Sequence, residues 1–252
     1  MDEFGSRLAR SAAVGEYGVV LAATPAYERA PDPVGLIRDD PIGVDQTSLG
    51  VIARASTLRQ LGRYLDARKC DEAAERAVEN RTLQASARLG LAADAVGTAD
   101  PSLARQWLAA AGSIEDAAVR VLAGWVATEI ALMSGDASAA VSGSAECVSL
   151  ARQAGLRWHL AKSLLFAGVA QVVGGRAEAG LGDLVEAAAA ARAYPAPAVG
   201  WVVAAVLADH DPNRRQAWHA EAVAAVGEIA DGLPSDVRLE WLGRSDVRRF
   251  TV

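Results

Sequence analysis

Small and apolar residues recur at helical spacing along most of the chain, and glycine breaks the pattern at regular places. In LGRYLDARKCDEAAERA, Leu61 to Ala77, Gly62 and Tyr64 interrupt a helical run that alanines then resume. Glycine enters the left-handed conformation without a Cβ clash, so Gly62 predicts a helix end and a tight turn. Tyr64 is then placed to plug the angle between two antiparallel helices, and Ala67 lets them approach closely.

The same signal returns along the sequence. VGTADPSLA carries Gly97 and, after two extra residues, Ala104; MSGDASAA carries Gly135 and Ala140; VGGRAEAG carries Gly175 and Gly180. The turn glycines are separated by 97−62 = 35, 135−97 = 38 and 175−135 = 40 residues. A second small residue stands seven positions before each one, at Ala55, Gly90, Thr128 and Gly168. Self-similarity at this period predicts stacked helix hairpins. A weaker copy is VGEYGVV, with Gly15, Tyr17 and Val20.

Helix-end chemistry fits the pattern. Asp100-Pro101 and Asp211-Pro212 each set an N-cap acceptor before a proline, and Ser113 to Asp116, SIED, resembles a capping box. The expected organisation is an N-terminal helix or incomplete hairpin over 1–29 and a Pro/Asp-rich loop over 30–47. Helical repeats then cover 48–232, and a capping helix and tail cover 233–252. Within that tail Trp241 is placed to cover the last repeat, with self-association as a homodimer the alternative use of its apolar side.

Composition narrows the picture. Apolar residues make up 52% of the 252 and aromatics only 5%, an alanine-rich balance that favours helix over strand. A formal charge of −6 lacks the basic face a nucleic-acid binder needs, and Arg238, Arg244, Arg248 and Arg249 read as a solvated helix face. The two cysteines, Cys70 and Cys147, lie in helical settings where free thiols behave as small hydrophobes. No apolar window approaches the roughly 20 residues of a membrane span, and the acidic start MDEFGSRLARSAAVGEYGVV lacks a signal-peptide layout. A cytoplasmic location is expected.

The hairpins around Gly62, Gly97, Gly135 and Gly175 resemble tetratricopeptide repeats, with the small residue, turn glycine and following small residue at the family's offsets. The long spacing and the closing segment EIADGLPSDVRLEWLGRSDVRRF are similar to the repeat region of large LuxR- and maltose-activator-type bacterial regulators. The resemblance implies an all-α fold, a right-handed superhelical array of antiparallel hairpins. It departs at Arg54, where an apolar residue is usual, and at the insertion after Gly97. There is no GxxxxGK[ST] phosphate loop, and the expectation is a repeat array without the regulators' ATPase or DNA-binding modules.

Candidate chemistry is sparse. His159, His210 and His219 do not adopt the spacing of a helical metal site, and no nucleophile elbow, dinucleotide loop or CxxC pair is present. Neither enzymatic activity nor a cofactor or metal is expected. In such arrays the first helix of each hairpin lines the concave side. Registering on the turn glycines places Ser56, Arg59 and Gln60, then Gln84, Leu91 and Asp94, then Trp125, Glu129 and Met133, then Lys162, Leu165 and Val169 on that side. Arg59, Gln60, Asp94, Trp125, Glu129 and Lys162 form the candidate groove.

Asp94 and Glu129 are lone charges in small, apolar runs. Each must face water, pair with a cation such as Arg59 or Lys162, or bind a ligand, because an unpaired buried carboxylate is costly. The expected function is a scaffold that holds a protein or peptide segment, with nucleic acid and membrane excluded as main partners. A regulatory module of a bacterial transcription or signalling system is the first alternative. A small-molecule sensor or an enzyme without local signature is the second.

Overall fold

The computed structural model describes residues 4–14, 17–24, 27–38, 44–194 and 196–251, so Gly15 of the weaker repeat copy lies outside the described residues. All regular structure among the described residues is helical. The chain divides into two compact units, residues 1–126 and 127–252.

The first unit opens with α1 (Phe4–Val14), α2 (Tyr17–Ala23), a 3-10 turn (Tyr27–Arg29) and α3 (Pro33–Arg38). Thus the segment expected as a loop is helical at α3, whose Ile37 is fully buried. Then come α4 (Val44–Gln60), α5 (Tyr64–Ala77), α6 (Arg81–Gly97) and α7 (Pro101–Ala110). Each helix from α4 to α7 packs on the next, α1 lies on α4, and α3 lies on α5. The core is built from slender residues, among them Ala55, Ala67, Ala73, Ala74 and Ala87, around Ile37, Val51 and Leu58. Helix α8 (Ala117–Met133) belongs to this unit through Val126 and to the second beyond it.

The second unit continues with α9 (Ala137–Gln153), α10 (Arg157–Val173), α11 (Ala177–Ala193), α12 (Pro197–His210), α13 (Arg215–Asp231) and α14 (Ser235–Leu242). From α9 to α14 each helix packs on its successor. Leu164, Leu184, Val203, Leu207 and Trp218 form the centre of its core. Gly168 and Gly180 let α10 and α11 approach closely, since a Cβ on either would overlap the other's backbone carbonyl.

One turn geometry recurs at the four repeat turns, and once more after α9, where Gly155 (φ 66°) precedes a Leu156 N–H bonded to the Ala151 carbonyl at 2.9 Å. A left-handed residue closes the helix, and the next N–H reaches back to a carbonyl five residues earlier, the Schellman arrangement. The bonds run from Arg63 to Leu58 at 2.8 Å, Asp100 to Ala95 at 2.8 Å, Asp136 to Ala131 at 2.9 Å and Arg176 to Gln171 at 2.9 Å. Gly62, Gly135 and Gly175 supply the left-handed residue as expected, with φ of 83°, 72° and 77°. At the second turn Ala99 supplies it instead, with φ of 59°. Gly97 is small for another reason: a Cβ there would enter the Tyr64 ring. Tyr64 therefore fills the angle against α6, and the two extra residues after Gly97 complete the turn.

Two expected caps move. Asp116, not Ser113, caps α8, its Oδ1 accepting the Val119 N–H at 2.9 Å. Asp211 terminates α12 rather than starting α13, and its Oδ2 accepts the Trp218 indole N–H at 2.9 Å. The buried indole competes successfully for the carboxylate. Asp100 caps α7 as expected, its Oδ1 accepting the Leu103 N–H at 2.9 Å, and Pro101 occupies the first helical position.

The closing segment is folded onto the second unit. Trp241 is 1% exposed and meets the Trp201 ring edge-on at 6.3 Å, while Phe250 is equally buried. Of the tail arginines, Arg249 makes a two-pronged ion pair with Asp209 at 2.9 and 2.8 Å, and Arg244 pairs with Asp246. Trp241→Ala should destabilise the second unit by about 3–5 kcal/mol, read by denaturant unfolding. Unchanged unfolding with an altered oligomer size would instead assign Trp241 to self-association.

Candidate functional site

The candidate groove residues fall in both units, and each group is best described in its own unit. In the first, Arg59 on α4 binds two carboxylates at once. Its Nε donates to Asp94 Oδ1 on α6 at 2.7 Å, and its Nη2 donates to Asp71 Oδ2 on α5 at 2.5 Å. The same Nη2 reaches the Gly90 carbonyl at 3.2 Å. Both carboxylates are essentially excluded from solvent. The carboxylate of Asp71 occupies the space a Cβ on Gly90 would need, which explains the small residue expected there.

Asp94 is therefore an internal ion-pair partner rather than an open acidic floor. Of the three fates open to a lone carboxylate this is pairing, and of the two cations the sequence offers, Arg59 and Lys162, it is Arg59 that answers it. Asp71 Oδ1 and Asp94 Oδ2 receive no donor hydrogen bond among the described residues. Burial raises the Asp71 carboxyl well above the usual carboxylate range; Arg59 opposes this, and the neighbouring Asp94 adds to it. Burial also raises Asp94, against the pull of Arg59. One guanidinium shared by two buried acids favours protonation of the pair over full ionisation, and Asp71 is raised the more of the two.

A second buried cation lies nearby in sequence. Arg54, the departure from the repeat pattern, is 6% exposed and grips Glu28 with two hydrogen bonds of 2.8 and 2.7 Å. Its Nη1 also donates to Thr24 Oγ1 at 3.2 Å. Burial pushes the Glu28 carboxyl up, but the Arg54 hydrogen bonds and charge outweigh it and hold the group below its usual range. Cys70 packs beside this pair, fully buried, and desolvation first and the Glu28 charge second push its thiol far up. Cys147 is also buried, its thiol raised to about 11 chiefly by desolvation. Neither thiol has the thiolate character of a nucleophile.

Of the remaining positions, Gln60 and Glu129 are half-buried and Trp125 is 4% exposed, a packing side chain. Leu91 and Leu165 belong to the interior rather than to a groove. Lys162 on α10 stands apart. Its ammonium sits over the Trp158 ring at 5.7 Å and the Phe166 ring at 5.9 Å from the centroids. All three side chains are half-buried, one helical turn apart on one face, and Val173 continues along α10 at 59% exposure. The face joins a half-buried cation to flat aromatic surface.

No group of three or more His, Cys, Asp or Glu among the described residues is arranged to hold a metal ion, and no helix among them is long and apolar enough to cross a membrane. No protein-family model matches the chain, and no curated protein is similar to it.

The Arg59 cluster sets a pH dependence with a definite sign. Asp71 binds its proton more tightly folded than unfolded, so its contribution is fully present below the ordinary carboxylate range and declines as pH rises through the raised folded value. Asp71→Asn, a neutral isostere, should flatten that decline and leave the protein more stable than wild type on the alkaline side. Arg59→Met removes the cation that both acids bind and should cost about 3–5 kcal/mol at neutral pH. Chemical denaturation across pH measures both.

Proposed function

We propose that the chain is a non-enzymatic, tetratricopeptide-like scaffold that holds a segment of a partner protein along the first helices of its hairpins. One observation carries this reading: the Trp158–Lys162–Phe166 face of α10, the first helix of the α10–α11 hairpin. Large aromatic rings that keep part of their surface in water, around a positive charge, have the composition of binding hot spots. The charges of Arg54 and Arg59 are paired with Glu28, Asp71 and Asp94 and serve helix packing in the first unit. The partner segment is acidic and apolar, to match Lys162 and its rings. Stacked hairpins present such faces in series, and helix-in-groove and extended-peptide recognition both use them.

Affinity capture from a lysate of the source organism tests the reading, with wild type beside Lys162→Glu. The charge reversal lies on a half-buried side chain and leaves Trp158 and Phe166 in place. The expected result is a protein recovered by wild type and reduced at least about tenfold by the folded variant. Equal recovery by both would remove the α10 face from the interaction, and turnover of a nucleotide or other substrate by the purified chain would overturn the scaffold reading.

A further inference from the structure

A half-open cavity of about 470 Å³, with Ala145, Ser149, Arg152 and Gln153 on its exposed side, lies among α9, α10 and α11 within the second unit. Small residues make the room: Ala145 on α9 and Ala167 on α10 stand where longer side chains would fill it. Val141 and Val148 add apolar wall, and Gln171, Asp183 and Arg152 bring polar groups. The size falls within the range of about 300–1,000 Å³ typical of small-ligand sites.

The polar groups are unbalanced. Gln171 Oε1 is buried and accepts no hydrogen bond among the described residues. Arg152, also in the lining, pairs with Glu186, its Nη2 donating at 2.5 Å, and its charge acts on Asp183 as well. Asp183 has neither a hydrogen bond nor an ion pair among the described residues. Burial raises its carboxyl, the Glu186 charge raises it further, and Arg152 only partly opposes them. A buried acceptor left without a donor forfeits the hydrogen bond that water would give it. The cavity thus offers a carboxylate, an amide oxygen and apolar walls, and the cation in its lining, Arg152, is engaged by Glu186.

We propose that this cavity binds a primary ammonium ion on a compact apolar body, with Asp183 and Gln171 accepting its N–H groups and Val141, Val148 and Ala167 enclosing the apolar part. An ammonium supplies three donors and a positive charge, so one group satisfies both acceptors. A neutral alcohol of the same shape supplies one donor and no charge. The site is independent of the partner-binding face, because Ala167 and Gln171 lie on a different side of α10 from Trp158, Lys162 and Phe166.

The test is a titration of the full chain with 4-phenylbutylammonium, beside neutral 4-phenylbutan-1-ol, followed by the methyl NMR signals of Val141 and Val148. The expected result is saturable shifts with the ammonium and at least about tenfold weaker binding of the alcohol. Asp183→Asn should weaken the ammonium by a similar factor and leave the alcohol unchanged. Shifts that do not saturate, equal affinity for the two probes, or undiminished binding to a folded Asp183→Asn protein would each overturn the proposal. The comparison of probes on wild type decides the matter even if the variant does not fold.

Discussion

The first unit depends on one guanidinium. Arg59 is the point where α4, α5 and α6 meet, and each of its bonds crosses from one helix to another. Alanine-rich helices bury little area per residue and leave their relative rotation weakly specified. A fork of donors aimed at two fixed carboxylates is directional in a way methyl groups are not. Turning any of the three helices about its axis would strand a buried charge. Two buried acids also share this one guanidinium, and burial raises both carboxyls. Packing and protonation are therefore one problem at this place, and Gly90 is its steric condition.

The repeat grammar was largely legible. Gly62, Gly135 and Gly175 announce themselves because a left-handed helix end is what glycine does best, and the intervals between them survive in the structure. The second turn misleads for a physical reason. Gly97 looks like a turn residue and is a contact residue, while Ala99 accepts the left-handed conformation that glycine would take more easily. Asp211 misleads likewise: a proline follows it, but a tryptophan seven residues on claims its side chain. Local signals name a helix end; they do not reveal which distant group has a stronger use for the same atom.

Sites were less legible than turns. Asp94 drew notice because it stands alone among small residues, and Arg59 was named as a partner. Asp71 did not, because in DARKCDEAAER it is one charge among many. Its burial follows from which face of α5 meets α6, a tertiary fact. Arg54 registered only as a departure from pattern, since Glu28 answers it from 26 residues away. The cavity among α9, α10 and α11 leaves still less trace, being defined by side chains that are short. Trp158 and Phe166 were within reach, two aromatics spaced two turns apart around Lys162, but registering each repeat on its glycine did not single them out.

The Glu28–Arg54 pair ties the short N-terminal helices to the array. The segment carrying α1 to α3 has modest apolar area of its own, and such segments ordinarily open first in native-state fluctuations. Here opening would break the Glu28–Arg54 pair and uncover Cys70 behind it. Detaching the leading segment therefore costs a charge pair as well as its packing on α4.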